Sequence, residues 1–266
     1  MINKITLNPL IDKLDLSSSR QDFEIIGVFN PGVTILNNKT ILLLRVAERP
    51  IQMNPHYYSY PVFDKNTNSI IIRNIDKSSK GLDVSDPRVI KTPKQNYLTS
   101  ISHLRVATSI DGINFAVESS PALQPDNEYE AFGIEDPRIT CINGVYYITY
   151  SSASEFGIVT SMASTKDFKD FKRESILFTP DDKDVAIFPQ KIGSKYYALH
   201  RPSTSEYGKP EIWISESTDL FSWGNHRHLV GVREEKWDNY RIGAGAVPFL
   251  TDKGWIEIYH GADKKN

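Results

Sequence analysis

The sequence is poor in cysteine, in long apolar runs and in helical periodicity. Its single cysteine, Cys141, excludes an intrachain disulfide and any multi-cysteine metal site. Because Cys141 lies in the apolar run of residues 139–142, we expect a buried and unreactive thiol. The most apolar stretch, residues 40–47, is much shorter than the roughly 20 residues of a membrane-spanning helix. Residues 1–10 lack the apolar core of a signal peptide, so we expect a soluble, cytoplasmic protein with no membrane partner.

The chain also lacks an excess of charge of either sign. It has 31 Lys and Arg residues against 33 Asp and Glu residues, which leaves a net charge of −2. A protein that binds nucleic acid by neutralising phosphates needs a basic face or stripe, so this balance argues against nucleic acid as a partner. Aromatic residues make up 11% of the chain, a content that suits β-strands or a cleft that binds carbohydrate.

Several common site motifs are absent as well. The sequence contains no P-loop, no dinucleotide-binding glycine fingerprint and no Gly-x-Ser-x-Gly nucleophile elbow. No histidine pair has the spacing of a helical metal site. His226 and His228 are two residues apart and share one face of a strand, where they could bind a metal, but we favour a solvated hairpin.

The sequence is instead rich in short runs of Ile, Val, Tyr and Thr, broken by Gly, Pro, Asn and Asp. Residues 41–46 and 146–150 are examples. Many short strands with frequent turns predict an all-β protein. Asp111, Asp167 and Asp219 are each followed four residues later by an aromatic residue, which predicts a hairpin turn around each aspartate.

These turns recur at an interval of about 50 residues, which is typical of the blades of a β-propeller. A related segment at residues 85–89 either opens another blade or belongs to an insertion in the first one. We expect a single propeller domain over residues 1–266. A second repeated element places a proline before an apolar pair and a strand, at Asn30-Pro31, Asp136-Pro137, Phe188-Pro189 and Val247-Pro248.

The last strand pattern, residues 255–261, is followed by only five residues. A blade that begins there would lack its outer strands and leave sheet edges open. We therefore expect that most of the last blade is absent from this sequence. Another subunit could cover the open blade, so a homo-oligomer is one of the alternatives.

Polar side chains lie at the ends of the predicted inner strands, where a propeller places its ligand. Lys and Arg are seldom buried without partners, so several on one axis imply a bound anion or matched carboxylates. Asp136 is either a turn residue before a proline or a general acid. Arg201 and Arg241 are either partners in salt bridges or ligands of an anion such as phosphate. The full set is Asn30, Arg45, Asp136, Arg138, Lys183, Asp184, His200, Arg201, Arg241 and His260.

Six motifs in order resemble glycoside hydrolase family 130, the β-mannoside phosphorylases and related β-mannosidases. The resemblance runs from about residue 30 to residue 262. It implies a five-bladed β-propeller that carries out inverting phosphorolysis of a β-mannoside and releases α-mannose 1-phosphate. We favour β-1,2-linked mannooligosaccharides as substrates. The motifs are residues 135–139 (EDPRI), 188–192 (FPQKI), 200–202 (HRP), 223–226 (WGNH), 242–245 (IGAG) and 259–261 (YHG).

The resemblance also implies roles for individual residues. Asp136 matches the general acid. The phosphate site falls on Lys183, Asp184, Arg201, Arg241 and His260. Some relatives carry Arg and Asn at the first two of these positions, and an aspartate beside phosphate requires a facing cation. Sugar contacts are expected from Asn30, Arg45, Arg105, His200 and Tyr240, and the acceptor sugar is expected to be set by the loops of residues 52–60 and 128–132.

The chemistry of phosphorolysis agrees with this inventory. An inverting glycosidase needs two carboxylates about 6.5–9.5 Å apart, one of them a base that activates water. Phosphate is already an anionic nucleophile, so positive groups that hold it replace the base. We therefore expect an oligosaccharide and phosphate as partners, phosphate being a co-substrate, with no metal and no other cofactor.

Two alternatives remain open at the level of the sequence. The first is a β-mannosidase that uses water, for which Asp184, Glu206 or Glu211 would serve as the base. The second is a non-catalytic propeller that binds carbohydrate, for which sugar binding without turnover is expected.

Overall fold

The computed structural model describes residues 9–203 and 206–264. Within this part, all regular structure is β-strand except two single-turn 3-10 helices, Lys13–Asp15 and Glu128–Glu130, so the all-β prediction is confirmed. No helix in these residues has the length and apolar character needed to span a bilayer.

The chain forms two compact units that meet in sequence between Glu135 and Asp136, with Gly32–Thr34 belonging to the second unit. The prediction of a single domain stays a prediction. In the first unit a four-stranded sheet has the order β1-β2-β7-β8, and the hairpins β3-β4 and β5-β6 are inserted between β2 and β7. The segment at residues 85–89 therefore belongs to this insertion. These strands are β1 (Phe23–Leu36), β2 (Lys39–Pro50), β3 (Tyr57–Asp64), β4 (Ser69–Asp76), β5 (Val89–Lys91), β6 (Asn96–Leu98), β7 (Ile101–Ser109) and β8 (Ala116–Val117).

The second unit contains two four-stranded sheets and two smaller pairs of strands. The sheets have the orders β12-β11-β10-β9 and β13-β14-β15-β16, and the pairs are β17-β20 and β18-β19. The strands are β9 (Gly133–Ile142), β10 (Val145–Ser154), β11 (Gly157–Thr165), β12 (Lys172–Phe178), β13 (Asp182–Ile187), β14 (Tyr196–Pro202), β15 (Ile212–Ser217), β16 (Gly224–Val230), β17 (Arg241–Ala244), β18 (Phe249–Thr251), β19 (Gly254–Ile256) and β20 (Tyr259–Ala262).

The three repeated aspartates form the same turn in each four-stranded sheet. Asp111, Asp167 and Asp219 each accept, through Oδ1, the backbone N–H groups two and three residues further along the chain. These hydrogen bonds lower the pKa of all three carboxyls, and that of Asp219 falls to about 2. Each turn joins the third strand of its sheet to the fourth, which confirms the predicted hairpins.

Strand β13 is fixed to the neighbouring sheet by threonine side chains. Thr140 donates to the carbonyl of Ile187 at 3.0 Å, and Thr149 donates to that of Val185 at 2.6 Å. Thr160 in β11 donates to the carbonyl of β13's first residue at 3.1 Å. Around these bonds Ile142, Met162 and Ile187 form a buried cluster. Buried hydrogen bonds of this kind hold a strand in one position, because each unpaired group would be costly.

Strands β1, β9 and β13 share a short polar residue in the left-handed region. Its φ angle is 34° at Asn30, 52° at Asp136 and 56° at Asp184. Asn and Asp are the non-glycine residues that tolerate this conformation best. In β1 and β9 this residue comes directly before a proline of the predicted repeat. In β13 it is Asp184, and the proline of the third copy, Pro189, lies beyond the end of the strand, so the repeat does not mark this residue in every copy.

The environment of Cys141 also differs from the prediction. Thr140 and Ile142 point into the protein, and the alternation of β9 places Cys141 on the exposed side. A short apolar run in a sequence does not show which face of the strand each of its residues occupies.

Candidate active site

The candidate site is built around a β-bulge in β13. Lys183 pairs with Arg201 and Ala186 pairs with Leu199, so β13 has one residue more than β14 between these pairs. The bulge contains Asp184 in its left-handed conformation. Regular alternation would place Asp184 on the side opposite to Arg201. The extra residue turns the carboxylate toward Arg201 instead, which is the usual effect of a bulge beside a functional site.

The Asp184 carboxylate is buried among cationic side chains. Its side chain is only 4% exposed, and Oδ2 lies 2.7 Å from Nη1 of Arg201 and 3.2 Å from Nε2 of His260. Oδ1 lies 4.0 Å from Nη2 of Arg138. Burial pushes the pKa of Asp184 upward, but the contact with His260 and the charges of Arg201 and Arg138 outweigh it, so the pKa is lowered. Asp184 thus faces cations, as an aspartate near an anion site must.

Arg201 brings further charged groups into the same cluster. Its side chain is 8% exposed. Burial and the nearby positive charge of Arg241 lower the pKa of Arg201, whereas Asp184, Asp136 and Asp182 act to raise it. Both Arg241 and Asp136 therefore lie within electrostatic reach of the guanidinium. Its buried Nε has no hydrogen-bond partner among the described residues. A buried donor without a partner is costly unless something else accepts from it.

Arg138 also belongs to the cluster. It is among the polar residues predicted at strand ends, but no role of its own is predicted for it from the sequence. Its Nη1 donates to the carbonyl of Asp136 at 3.2 Å, and its Nη2 donates to the carbonyl of Ala244 at 3.2 Å. Nη2 also lies near Asp184. Arg138 therefore links the backbone of the candidate acid to the bulge and to β17. Within the described part of the chain its buried Nε also lacks a partner.

Gly243 explains how the cluster can be so compact. It pairs with His260 across β17 and β20. A Cβ atom at Gly243 would lie 2.1 Å from Oδ2 of Asp184 and 2.9 Å from Nη1 of Arg201. Only glycine permits this approach, so the IGAG motif supplies space for the ion pairs.

Glu257 is a second carboxyl close to the cluster. Its Oε1 accepts the backbone N–H of Gly245 at 3.0 Å, while its buried Oε2 has no partner in the described ranges. Burial raises its pKa to about 7, although the hydrogen bond from Gly245 and the charge of Arg138 act in the opposite direction. Glu257 and Asp184 thus both lie near Arg138 but have pKa values shifted in opposite directions.

The remaining predicted residues of the second unit occupy different environments. Lys183 is half-buried and faces Arg201 in the strand register. Arg241 and Tyr240 are exposed at the start of β17, and the side chain of His260 is half exposed. His200 is buried, and both of its ring nitrogens are engaged by Asp182 and His226. A direct sugar contact from His200 is therefore not supported, because its polar atoms are already occupied.

Three predicted sugar contacts belong to the first unit. Asn30 is exposed in β1. Arg45 donates to Glu135 at 2.6 Å and to Ser102 at 3.2 Å. Arg105 is 1% exposed and uses its guanidinium for buried partners, including Glu48, so a contact with the leaving-group sugar is not supported for it.

The predicted acceptor loop borders an open groove of the first unit. The groove has a volume of about 460 Å³ and includes Gln52, Tyr58 and Lys77 in its wall. The side chain of Gln52 bonds both backbone groups of Ser59, at 3.2 Å and 3.1 Å, and so fixes the loop. Lys77 lies 4.9 Å from the ring centroid of Tyr58.

Taken together, the second unit concentrates three arginines, a histidine and a lysine near one buried aspartate and the candidate acid. Such an excess of positive charge in a partly dry site suits an anion. No group of three or more His, Cys, Asp or Glu side chains in the described residues is arranged to hold a metal. His226 and His228 contact different partners, His200 and Glu211.

The chain is similar to several known proteins. A family model described as beta-1,4-mannooligosaccharide phosphorylase matches residues 96–266. A β-1,2-mannobiose phosphorylase of Listeria innocua is 43% identical over 263 residues, which cover 97% of this chain and 74% of that protein. A 1,2-β-oligomannan phosphorylase of Thermoanaerobacter sp. is 37% identical over 179 residues, or 65% of this chain and 58% of that protein.

A solved structure gives the same result. The β-1,2-mannobiose phosphorylase of Listeria innocua in complex with β-1,2-mannobiose matches with a TM-score of 0.93 and 43% identity, over 97% of this chain and 74% of that one. The family model covers well over half of this sequence, and the Listeria relative is similar over nearly all of it. The chain belongs to glycoside hydrolase family 130.

Proposed function

We propose that the protein is a glycoside phosphorylase that cleaves β-1,2-linked mannooligosaccharides with inorganic phosphate. The observation that carries this proposal is the excess of cations around Asp184. Relatives named as β-1,2-mannobiose and 1,2-β-oligomannan phosphorylases support the choice of linkage. Because an anionic nucleophile needs positive groups rather than a base, the cluster fits phosphate better than it fits an activated water.

In the proposed reaction, phosphate binds at Arg201, Arg241, Lys183 and His260. One phosphate oxygen attacks the anomeric carbon, and the bond from that carbon to the bridging oxygen breaks. Asp136 supplies the proton that the leaving oxygen receives, directly or through a sugar hydroxyl, and the carboxylate is left ionised. Attack on the face opposite the leaving group converts the β-mannoside to α-mannose 1-phosphate. This chemistry needs no metal and no cofactor other than phosphate.

The partnerless Nε atoms of Arg201 and Arg138 support an anion in this cluster. Both atoms are buried donors. A phosphate oxygen near either one would satisfy it with a charge-assisted hydrogen bond. Asp184 acts as the counter-ion that keeps Arg201 and His260 in place, and Arg138 holds the backbone of Asp136.

We also propose the five-bladed propeller as the architecture. Three four-stranded sheets, each with an aspartate turn between its third and fourth strands, support a blade repeat. The pairs β17-β20 and β18-β19 are consistent with strands of a further blade. A crystal structure of the protein would test the number of blades.

The function is tested by incubating the protein with β-1,2-mannobiose, with and without inorganic phosphate, and measuring sugar phosphates and free mannose. We expect α-mannose 1-phosphate only when phosphate is present. Free mannose in both samples would contradict the proposal and indicate a hydrolase.

A variant separates catalysis from binding. We expect Asp136→Asn to lose turnover by about 10²–10⁴-fold, the usual contribution of a general acid, while calorimetry still detects mannobiose binding. Sugar binding by both proteins with no turnover in either would contradict the proposal and indicate a binding module.

A further inference from the structure

A chain of hydrogen bonds crosses the sheet that carries Arg201. Asp182 is buried at the start of β13, and its Oδ2 lies 2.7 Å from Nδ1 of His200 in β14. Nε2 of His200 lies 3.2 Å from Nδ1 of His226 in β16. His226 is exposed, so the hydrogen bonds run from the solvent to β13, at the opposite edge of the sheet.

The other oxygen of Asp182 contacts Arg201, which belongs to the proposed phosphate site. Oδ1 accepts the backbone N–H of Arg201 at 3.2 Å. One carboxylate therefore holds the side chain of His200 and the backbone of the next residue. This arrangement fixes the peptide between the two residues and, with it, the direction in which the Arg201 side chain leaves the strand.

The partners fix the direction of one of the two hydrogen bonds. A carboxylate can only accept, so His200 donates through Nδ1–H to Asp182, and its Nε2 shares the second hydrogen bond with Nδ1 of His226. Burial and the neighbouring His200 lower the pKa of His226, whereas Asp182 and the carbonyl of Trp223 act to raise it. The ring of His200 also stacks on Phe178, with 4.7 Å between the ring centroids. Every polar atom of the His200 ring is thus used within the protein.

We infer that His200 is a positioning residue for the phosphate site: it acts through Asp182 to hold Arg201, and His226 in β16 supports it. The inference rests on the proposed role of Arg201 in binding phosphate. It gives His200 a function that needs no contact with the sugar. Removing the His200 donor leaves a buried carboxylate short of a partner, so Asp182 would turn away and release the Arg201 backbone.

A second histidine of β16, His228, serves as a control for this network. His228 lies two residues after His226 and contacts Glu211 at 2.8 Å, and the other oxygen of Glu211 accepts the backbone N–H of Val232. The local chemistry matches that of His200 and Asp182, but it ends on Val232 rather than on an arginine of the cluster.

The test compares His200→Phe with His200→Asn. Phenylalanine keeps the stacking on Phe178 but removes both hydrogen bonds. The Asn amide lies close to the position of Nδ1 and retains a donor for Asp182. We expect His200→Phe to raise the KM for phosphate about tenfold or more, by analogy with the loss of a hydrogen-bond partner behind a metal ligand, with the KM for mannobiose unchanged. His200→Asn should restore most of the phosphate affinity.

Further variants keep the test informative if His200→Phe does not fold. His226→Phe, at an exposed position, should raise the KM for phosphate about two- to threefold, because it removes only the outer bond of the network. His228→Phe should leave both constants unchanged. Equal changes in the KM for phosphate and for mannobiose, or no rescue by Asn, would overturn the inference. A wild-type protein whose turnover ignores phosphate would instead overturn the proposed function, and the inference with it.

Discussion

Two buried arginine–carboxylate pairs lie in the two units of this protein, and they differ in how completely they are satisfied. In the first unit Arg105 and Glu48 are each 1% exposed, and Nη2 of Arg105 lies 3.3 Å from the carboxylate. Its Nη1 donates to the carbonyl of Ser17, and its Nε donates to His103. Burial and the charge of Arg105 lower the pKa of His103 to about 3, so that ring is neutral and can accept.

In the second unit, the Arg201–Asp184 pair lies among further positive charges, and some nearby hydrogen-bond donors are not satisfied. Arg201 contacts Asp184 at 2.7 Å, but Arg138 and Arg241 add positive charge, and two arginine Nε atoms lack partners in the described part of the chain. Burial of an ion pair is therefore not evidence of function in itself. Surplus positive charge and partnerless donors distinguish the Arg201 cluster, for which we propose phosphate binding, from the Arg105–Glu48 pair.

The first unit gives the largest expected effect. Arg105→Met should lower the free energy of unfolding by about 3–5 kcal/mol, because it leaves the Glu48 carboxylate buried without its counter-ion. Activity per folded molecule should not change. Arg88, an exposed arginine paired with Asp86, supplies the control, and Arg88→Met should hardly alter stability. Denaturant unfolding would measure both, and a selective loss of phosphorolysis in Arg105→Met would break the comparison.

The second unit should show the reverse pattern. Arg201→Ala should reduce phosphate-dependent turnover by about 2–4 kcal/mol of transition-state stabilisation, by analogy with the loss of one oxyanion donor, and should spare mannobiose binding. Arg227→Ala removes a positive charge from an exposed position in the same sheet and serves as the control. Steady-state kinetics with varied phosphate would measure the effect. An equal loss of sugar affinity would argue against a phosphate role for Arg201.

A smaller change tests the compactness of the cluster. Gly243→Ala would push a methyl group into the Asp184 carboxylate, so we expect a raised KM for phosphate and a stability cost of about 1–3 kcal/mol. A Cβ atom at Gly224 would meet no heavy atom within 4 Å, so Gly224→Ala should change neither quantity. Unchanged phosphate kinetics in Gly243→Ala would show that the close approach is dispensable.

The smallest effect concerns Glu257 and depends on pH. Its pKa is raised from 4.5 to about 7 in the folded protein, so the folded state holds the proton more tightly than the unfolded state does. Stability is therefore lost as the pH rises from 4.5 through about 7. Glu257→Gln should raise the melting temperature by a few degrees at pH 8 and leave it nearly unchanged at pH 4.

Asp252→Asn provides the matched control for this pH effect, because it removes an exposed carboxyl from the β18-β19 turn. Calorimetric melting at both pH values would measure the two variants. A Glu257→Gln gain of the same size at pH 4 would show that ionisation is not its cause.

Local sequence chemistry predicted part of the fold well. The turns at Asp111, Asp167 and Asp219 follow from hydrogen bonds within a few residues, so the sequence alone could identify them. The proline repeat did not point to Asp184, because the feature that Asp184 shares with Asn30 and Asp136 is a backbone angle, and Asp184 adopts that angle before a valine.

The family resemblance grouped Asp184, Arg201 and His260 in one site, and the structure brings the three side chains into contact. Arg105 lies in the middle of β7 and His200 near the end of β14. Their partners Glu48 and Asp182 come from other strands, and no local pattern shows that the two side chains are buried and satisfied. Arg138 went without a role for the same reason, since its contacts with Ala244 and Asp184 are distant in sequence.

The shared left-handed angle of Asn30, Asp136 and Asp184 restricts how these positions can be altered. Alanine at any of them would add backbone strain to the loss of the side chain, so an inactive Ala variant would not identify its cause. Asn and Asp can replace one another there without that strain. At all three positions, replacing Asp by Asn or Asn by Asp therefore tests the side chain without adding backbone strain. It is also the substitution by which a lineage could assign a different task to each inner strand while leaving the main chain as it is.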